Sequence, residues 1–500
     1  MSRAKCIMVQ GTMSGAGKSL LCTALCRILA QDGYKTAPFK SQNMALNSFV
    51  TRDGLEMGRA QVVQAQAAGI EPDVRMNPIL LKPSSDVGSQ VIVNGEVRGN
   101  MPAAEYFRHK RALVPDILRA YNSLAEEYDI LVIEGAGSPA EINLKADDIV
   151  NMGLAELVDA PVLLAGDIDR GGVFAQLYGT VALLEERERS RIKGLIINKF
   201  RGDVEILRPG LAMLEDKTGL PVLGVVPYLD ADIEDEDSLS ERLCRKKTVK
   251  PLDVAIVRLP HVSNFTDFIP LEQHPLLGVR YLRTVRELGA PDLVLLPGTK
   301  NTVEDLLWLR QSGLEAALQK LAAGGTPVLG VCGGYQMLGE TLADPEGTES
   351  GTAQTVRGLG LLPTHTVFTG QKHRTQDTAA VTAAPFAGAV LTGYQIHTGR
   401  TEVQGVPFCT LADGTPEGCV QDNVFGTYLH GLFDTGELTE KLVALLCRRK
   451  GIAPDSAALI PMEQYRQQQF DLLADGVRGA LDLDAVYAAM GLENPRRNAQ

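Results

Sequence analysis

The chain has 500 residues, of which 45% are apolar, and its 49 basic and 61 acidic side chains give a formal charge of −12. This size and apolar content predict two or three globular domains, and the net negative charge argues against nucleic acid as the main partner. No apolar run reaches the roughly 18 residues of a membrane span, and the first residues lack the apolar region of a signal peptide, so we expect a cytoplasmic protein with no membrane partner.

The N-terminal half alternates apolar, strand-like runs with helical stretches. The runs are KCIMVQG, DILVIEGAG, PVLLAGDID and IKGLIINKF, and a helix is predicted from Ser19 to Ala30. Such alternation predicts a parallel sheet covered by helices. We assign this α/β domain to residues 1–235.

A second alternation follows a charged segment. Residues 236–250 are rich in acidic and basic side chains and are predicted to form a linker. The runs LDVAIVRLP, DLVLLPGTKNT and PVLGVCGG then indicate another α/β domain over residues 251–446. Residues 447–500 form a predicted helical extension. Its packing, on the second domain or in a dimer contact, stays open, as does the oligomeric state.

The stretch GTMSGAGKS lies between the first predicted strand and the first predicted helix, where a phosphate-binding loop is expected. Its glycines let backbone N–H groups approach phosphate oxygens, its lysine brings positive charge to the β- and γ-phosphates, and its serine hydroxyl can bind Mg²⁺. Compared with G-x-x-x-x-G-K-[ST], the first glycine comes one position early and a threonine takes its place. The candidate ATP-binding residues in this loop are Gly11, Thr12, Gly15, Gly17, Lys18 and Ser19.

Three later strands of this half end in polar residues. Glu134 ends one of them and is predicted to hold Mg²⁺, together with the loop serine, directly or through water. Asp167, Asp169 and Arg170 follow the next strand and are predicted to line the substrate and phosphate rim, although each acid alone also suits a helix cap. Asn198 ends a further strand and is a candidate contact for the adenine edge, with a turn residue as the alternative.

Cys332 stands at the crest of PVLGVCGGYQMLG, where a strand is predicted to turn sharply into a helix. Small neighbours tolerate such a turn, which exposes the sulfur, and a helix N-terminus favours the thiolate. The other cysteines form no C-x-x-C pair and are expected to be reduced core residues. His430, after a later predicted strand, is the candidate base, and His397 is its main competitor.

Backbone N–H groups near the candidate nucleophile are expected to form an oxyanion hole. Gly298 and Thr299 follow a predicted strand, and Gly333 directly follows the cysteine. A thiolate, a base and such a hole describe acyl transfer through a thioester.

These residues resemble the class I glutamine amidotransferases. The elbow G-x-C-x-G-x-Q of that family is matched at Gly330, Cys332, Gly334 and Gln336. The resemblance implies that Cys332 attacks the side-chain amide of glutamine and that His430 transfers the proton. Gln336 joins the three hole residues as a candidate oxyanion or glutamine-binding residue. Many members carry a glutamate where this chain has Leu432, so the orienting partner of His430 is not identified from the sequence.

The phosphate loop resembles that of the dethiobiotin synthetase group, and the whole chain resembles the cobyric acid synthases, which join such a domain to a cobyrinic-type glutaminase. The most specific marker is FKSQNMALNS. The resemblance implies that Lys40 contributes to the ATP site and that Gln42 and Asn43 belong to the substrate rim. It also implies ATP and Mg²⁺ as the required cofactors, with no prosthetic group.

The implied reaction is the ATP- and glutamine-dependent amidation of four peripheral carboxylates (b, d, e and g) of adenosyl-cobyrinic acid a,c-diamide, so the expected partners are a corrinoid and glutamine. An a,c-diamide synthase of cobyrinic or hydrogenobyrinic acid is the nearest alternative. From a different class, the chain is compatible with a P-loop regulatory ATPase that carries an inactive glutaminase-like domain, although Cys332 and His430 are both present.

Overall fold

The computed structural model describes residues 4–85, 88–234, 243, 249–349, 351–453 and 460–497. Two compact units are present. The first comprises Met1–Met44, Met57–Ile233 and Arg466–Gln500, and the second comprises Ala45–Glu56 and Glu234–Tyr465. The predicted domains 1–235 and 251–446 form the bodies of these units, but residues 45–56 lie with the second unit and residues from 466 onward lie with the first. The predicted linker lies largely outside the described residues.

The elements up to residue 234 alternate as the apolar runs predict. The strands are β1 (Lys5–Gly11), β2 (Thr36–Phe39), β3 (Gln42–Met44), β4 (Ser48–Val50), β5 (Glu56–Gly58), β6 (Ile79–Ser85), β7 (Gly88–Val93), β8 (Glu96–Pro102), β9 (Ile130–Glu134), β10 (Val162–Asp167), β11 (Ile192–Phe200) and β12 (Val222–Pro227). The helices are α1 (Lys18–Gln31), α2 (Arg59–Ala67), α3 (Ala103–His109), α4 (Val114–Glu127), α5 (Met152–Val158), α6 (Val173–Leu183), α7 (Glu186–Arg189) and α8 (Val204–Thr218).

The first unit is built on a six-stranded parallel sheet with the order β12-β11-β10-β1-β9-β2. β1 and β10 are almost wholly buried, as expected for apolar strands covered on both faces. The chain places later strands on both sides of β1, so the carboxyl end of β1 opens at a switch point where such sheets bind ligands. A smaller sheet, β3-β6-β7-β8, and the two-stranded pair β4-β5 complete the N-terminal elements.

The remaining elements begin at residue 252. The strands are β13 (Leu252–Val257), β14 (Leu277–Leu282), β15 (Leu293–Leu296), β16 (Val328–Val331), β17 (Thr341–Asp344), β18 (Gln354–Arg357), β19 (Thr364–Val381), β20 (Val390–Val403), β21 (Cys409–Leu411), β22 (Pro416–Glu417), β23 (Cys419–Gln421) and β24 (Val424–Thr427). The helices are α9 (Ile269–Gln273), α10 (Val285–Leu288), α11 (Thr302–Gln311), α12 (Leu314–Ala323), α13 (Gly333–Leu338), α14 (Glu437–Lys450), α15 (Met462–Arg478) and α16 (Leu483–Ala489).

The second unit has its own central sheet, with the order β14-β13-β15-β16-β24-β23. All neighbours in it are parallel except β23 and β24. A second sheet contains the long antiparallel pair β19-β20. The carboxyl ends of β15, β16 and β24 lie side by side, so the chain segments that follow these three strands meet at one edge of the sheet.

The C-terminal helices pack in the core of the first unit. Phe470 and Leu473 of α15 and Tyr487 of α16 are buried in the same apolar cluster as Ile7 and Leu25. This differs from packing on the second domain, one of the two expected arrangements. The apolar face of α15, which carries no chemical motif, covers the sheet of the first unit instead.

In the described part of the chain, no helix is long and apolar enough to cross a membrane. The seven described cysteines are free thiols and are buried, whereas Cys244 lies outside the described residues.

Candidate active sites

Cys332 lies at a sharp turn between β16 and α13. Its backbone has φ 51° and ψ −109°, a region that residues other than glycine rarely adopt, so the turn is strained. A Cβ atom added to Gly334 would lie 2.1 Å from the carbonyl oxygen of Leu296, so the turn has no room for a larger residue there. The thiol is 8% exposed and points at the carbonyl oxygen of Ile396, 3.5 Å away. The predicted elbow is present.

His430 follows β24 and is oriented by an aspartate that the sequence patterns do not reveal. Its Nδ1 lies 2.7 Å from Oδ2 of Asp267, whose Oδ1 accepts a hydrogen bond from Gly431 N at 3.0 Å. His430 is 1% exposed and Asp267 is 5% exposed. Asp267 lies 163 residues before His430 in the chain, so no local spacing connects them. The side chain of Leu432 is buried in the apolar core instead.

The electrostatic surroundings of His430 favour the imidazolium. Burial lowers the pKa of His430, but the charge and hydrogen bond of Asp267, together with Cys332, outweigh this and raise the pKa to about 10. Nε2 is buried and has no hydrogen-bond partner among the described residues. With Nδ1 engaged by Asp267, Nε2 is the ring atom left to exchange a proton with the thiol or the substrate.

His397 is arranged differently from His430. Its Nδ1 lies 2.7 Å from the carbonyl oxygen of Gly399, and its ring stacks on Tyr428 with the centroids 3.7 Å apart. Burial lowers the pKa of His397 to about 3, so the ring is neutral at physiological pH. A neutral ring without a carboxylate partner among the described contacts is less suited than His430 to accept the proton of the thiol.

The predicted oxyanion residues lie beside the elbow. A Cβ added to Gly333 would lie 3.1 Å from the backbone nitrogen of Thr299, and one added to Gly298 would lie 3.2 Å from Cε1 of His430. The Thr299 hydroxyl contacts the Asp305 carboxylate. The segment after β15 therefore brings Gly298 and Thr299 next to the nucleophile and its base.

Gln336 is buried below the elbow and is held by its own contacts. Its Oε1 accepts a hydrogen bond from the Thr302 hydroxyl at 3.0 Å, and its Nε2 donates to the Tyr428 hydroxyl at 3.1 Å. These bonds brace α13 against α11 and against the segment after β24. A direct contact of Gln336 with glutamine stays a prediction.

The phosphate loop has the backbone that its glycines predict. Gly15 and Gly17 have φ values of 76° and 89°, and Gly17 precedes α1. A Cβ on Gly11 would lie 3.1 Å from Cγ of Lys18, so the first glycine lets the lysine pass. Nζ of Lys18 donates to the carbonyl oxygens of Met13 and Gly137, at 3.0 and 3.1 Å. The Thr12 hydroxyl donates to Gln176 on α6 at 3.1 Å.

Glu134, at the end of β9, is the hub of a buried polar network beside this loop. Its Oε1 accepts hydrogen bonds from Ser19 Oγ at 2.9 Å and Lys40 Nζ at 2.8 Å. Its Oε2 accepts hydrogen bonds from Gln64 at 2.5 Å and Gln61 at 3.4 Å, both on α2. The structure thus brings Ser19, Lys40 and Glu134 together. It adds the two glutamines, whose sequence signal is the i, i+3 spacing on a helix.

Asn198 and its neighbour on β11 support the phosphate loop from below. Nδ2 of Asn198 donates to the carbonyl oxygen of Ala16 at 3.0 Å. Lys199, at a φ of 60°, donates to the carbonyl oxygen of Gly15 at 2.7 Å and pairs with Asp167 at 2.9 Å. The Asn198 amide therefore contacts the loop backbone, and an adenine contact stays a prediction. Sequence reasoning did not identify Lys199.

The other rim residues lie after β10 or on β3. Asp169 pairs with Arg201 at 3.2 Å, and Arg170 is exposed, 3.9 Å from Asp167. Gln42 accepts a hydrogen bond from the Tyr106 hydroxyl. Asn43 donates to Gln61 at 3.2 Å, which connects the FKSQNMALNS segment to the Glu134 network.

Comparisons with known proteins agree with this division. Residues 7–240 match the CobQ/CobB/MinD/ParA nucleotide binding domain, and residues 253–438 match the CobB/CobQ-like glutamine amidotransferase domain. A cobyric acid synthase of Lachnoclostridium phytofermentans is 57% identical over 97% of this chain and 99% of its own. One from Citrobacter koseri is 52% identical over 97% and 98%. The chain belongs to the cobyric acid synthase family.

Family membership confirms the resemblance found in the sequence, the α/β fold class with a P-loop domain and a glutaminase domain, and the assignment to the glutamine-dependent ligases. It does not favour the diamide synthase or the regulatory ATPase. Among solved structures, PurLQS from Thermotoga maritima aligns with a TM-score of 0.31 and 16% identity over 40% of this chain and 100% of that chain, a likeness too weak to add to the assignment.

Proposed function

We propose that this chain amidates the b, d, e and g carboxylates of adenosyl-cobyrinic acid a,c-diamide, using ATP and glutamine, to give adenosyl-cobyric acid. The observation that carries the proposal is the identity of 57% to a cobyric acid synthase over nearly the whole of both chains. The two sets of site residues add chemical support, because each has the groups that its half of the reaction needs.

The second unit is proposed to release ammonia. The Cys332 thiolate adds to the side-chain carbonyl carbon of glutamine, and backbone N–H groups near Thr299 and Gly333 stabilise the negative oxygen. His430 gives a proton to the departing nitrogen, so ammonia leaves and a glutamyl thioester remains. Water then attacks the thioester as His430 takes its proton, the carbon–sulfur bond breaks with its electrons going to sulfur, and glutamate departs with the Cys332 thiolate restored. Asp267 holds His430 and balances its positive charge throughout.

The first unit is proposed to activate the acceptor. An oxygen of the substrate carboxylate attacks the γ-phosphorus of ATP, the bond to the bridging oxygen breaks, and ADP leaves. Ammonia adds to the carbonyl carbon of the resulting acyl phosphate, phosphate leaves with the bonding electrons, and loss of a proton gives the amide. Lys18 and the loop backbone bind the transferred phosphoryl group, while Lys199 and Asn198 keep that backbone in place.

Ser19 and Glu134 are the residues proposed to hold Mg²⁺. Their oxygens lie 2.9 Å apart, and hydroxyl and carboxylate oxygens are the donors that Mg²⁺ accepts. No group of three or more ligating His, Cys, Asp or Glu residues exists in the described ranges. Mg²⁺ at nucleotide sites takes its other ligands from phosphates and water. When bound, the ion supplies positive charge to the phosphate oxygens.

Mass spectrometry of the corrinoid tests the proposal. Adenosyl-cobyrinic acid a,c-diamide is incubated with the protein, MgATP and glutamine, and we expect four successive amide products. Cys332→Ala should give none with glutamine but should recover them with an ammonium salt at high pH, because only ammonia release needs the thiol. If ATP and glutamine are consumed and the corrinoid mass does not change, the proposed substrate is wrong.

A further inference from the structure

Residues 45–56, here called the strap segment, come from the N-terminal part of the chain but fold with the glutaminase unit. The chain leaves the first unit after Met44 and returns to it at Met57. The strap segment follows β3 and precedes α2, and it contains the last four residues of the FKSQNMALNS marker. The polar side chains of Asn47 and Glu56 are fully buried in it, at 0% exposed. Buried polar groups need specific partners.

The first partner of the strap segment is the turn that carries Asp267. Asn47 Oδ1 accepts a hydrogen bond from the backbone N–H of Asn264 at 2.7 Å, and the backbone N–H of Ser48 donates to Asn264 Oδ1 at 3.1 Å. Asn264 has a φ of 52° and precedes the 3-10 helix Phe265–Phe268, and Asp267 N donates to its carbonyl oxygen. The reciprocal pair therefore fixes the start of the turn that aims Asp267 at His430.

The second partner is the ring that covers His430. The Tyr394 ring stacks on the His430 imidazole with the centroids 5.2 Å apart and the planes 20° apart, and the two backbones pair as an antiparallel bridge. The Tyr394 hydroxyl donates to the carbonyl oxygen of Ser48 at 3.1 Å. Phe49 packs edge-on against the same ring at 5.2 Å. The strap segment thus holds the tyrosine that holds the imidazole.

The third connection reaches the nucleophile. Val50, Tyr394 and Ile396 form one buried apolar cluster, and the carbonyl oxygen of Ile396 is the group that the Cys332 thiol contacts. Two further contacts hold the strap segment at Val50 and at Glu56. Gln376 donates a hydrogen bond to the Val50 carbonyl oxygen at 2.8 Å, and Lys372 pairs with buried Glu56 at 2.5 Å. Each member of the triad is therefore connected to the strap segment through one intervening residue: Asn264 for Asp267, Tyr394 for His430 and Ile396 for Cys332.

We propose that the strap segment positions the glutaminase triad, with Asn47 setting the turn of Asp267 and Ser48 setting His430 through Tyr394. None of these strap residues is placed on the reacting atoms, so they are positioning residues. The inference deepens the proposed function, since it assumes that Cys332 and His430 hydrolyse glutamine. It predicts that disturbing the strap segment lowers the rate of glutamine hydrolysis at saturating glutamine and leaves the binding of glutamine intact.

Steady-state release of glutamate by the full-length chain tests this inference. Asn47→Ala removes the acceptor for Asn264, and Tyr394→Phe removes only the hydroxyl that reaches Ser48 while it keeps the ring on His430. We expect Asn47→Ala to lower kcat about tenfold or more, because small misplacements of catalytic groups have effects of this size, and to leave KM within about twofold. Asp53→Ala, an exposed position of the same segment, is the matched control and should keep the wild-type kcat.

Two further measurements distinguish a loss of positioning from unfolding and from damage to the first unit. ATP-dependent amidation with ammonium salt should stay at the wild-type rate in both variants, and their melting temperatures should show that the chain is folded. Wild-type kcat in Asn47→Ala and Tyr394→Phe would overturn the inference, as would a parallel loss of the ammonia-dependent reaction. The kcat of glutamate release is measured without the corrinoid, so a wrong corrinoid substrate would defeat the proposed function and remove only the ammonium control, while the comparison of kcat values would remain readable.

Discussion

Asp267 explains how a buried histidine can carry a positive charge during glutamine hydrolysis. A fully buried imidazole is normally easier to keep neutral, because burial penalises the charged form. Here the carboxylate 2.7 Å from Nδ1 reverses that preference and, with Cys332, raises the pKa of His430 to about 10. The imidazolium is then favoured before glutamine arrives, and Nε2 holds the proton that the leaving ammonia needs.

Asp267→Asn should slow glutamine hydrolysis and shift its pH dependence. Loss of the carboxylate removes the charge that raises the pKa of His430, so the pKa should fall and the imidazolium should be lost at lower pH. We expect kcat for glutamine hydrolysis to drop on the order of 100-fold or more, as in triads that lose the orienting carboxylate, and the basic limb of kcat/KM against pH to move to lower pH. Steady-state kinetics across pH measure both effects.

Asp413→Asn provides the control, since Asp413 is exposed and in the same unit. It should leave the pH profile unchanged. A basic limb that stays in place in Asp267→Asn would contradict the assignment of Asp267 as the partner of His430, even if the rate fell.

Site residues that are marked by their neighbours in the sequence can be predicted, whereas residues whose partners are distant in the chain cannot. Cys332 and Lys18 are identified because strand, glycines and helix surround them within a few residues. Asp267 lies in NFTDF, without a strand-end pattern and 163 residues from its partner. Lys199, at a φ of 60°, reaches Gly15 and Asp167 only in the folded chain. Such residues are recruited by tertiary packing, which single-sequence patterns do not contain.

Among the elements, the turn from β16 to α13 depends on close backbone approach. A side chain at Gly334 would collide with the carbonyl oxygen of Leu296 on β15, and backbone at this distance has no alternative rotamer. The helix therefore lies against β15 and the segment after it, which is where the oxyanion donors are placed. The position of α13 is set by the absence of a side chain as much as by the apolar residues around it.

We expect Gly334→Ala to destabilise the glutaminase unit and to abolish glutamine use. Overpacking of this kind costs about 1–3 kcal/mol or more, and any relaxation has to move α13 away from Thr299. Gly370→Ala, at a position on β19 where a Cβ meets nothing within 4 Å, should change neither stability nor activity. Urea unfolding would measure the stability of each variant, and a separate assay of glutamate release by the folded protein would measure its activity. Equal stability of the two variants would show that the turn can relax.

The long, buried strands can be predicted from the sequence, but the segments that pack against them cannot. β1, β10 and β16 read as apolar runs because both faces of a parallel sheet are covered. The packing of α15 and the position of the strap segment in the second unit cannot be predicted in this way. An amphipathic helix shows that one face is buried but not against which sheet, and a short polar segment has no period to interpret.

For the whole molecule, the strap segment gives the glutaminase a continuous chain connection to the residues of the phosphate site. Its N-terminal end continues from β3, where Asn43 contacts Gln61, and its C-terminal end continues into α2, where Gln61 and Gln64 contact Glu134. We therefore expect a ligand that rearranges the hydrogen bonds of Glu134 to act on both ends of the segment. An enzyme that releases a reactive, easily lost product benefits when release waits for an acceptor.

The last prediction is that MgATP and the corrinoid together accelerate glutamine hydrolysis in the wild-type chain, and that Asn47→Ala abolishes the acceleration. A coupling of about 1–3 kcal/mol corresponds to a factor of at least about five. Glutamate release with and without these ligands gives the ratio directly. Gln64→Leu, which cuts the connection at the Glu134 end, should also bring the ratio close to one, whereas Asp53→Ala should keep it. An unchanged ratio in Asn47→Ala, or no acceleration in the wild type, would show that the strap segment holds the triad without transmitting the state of the phosphate site.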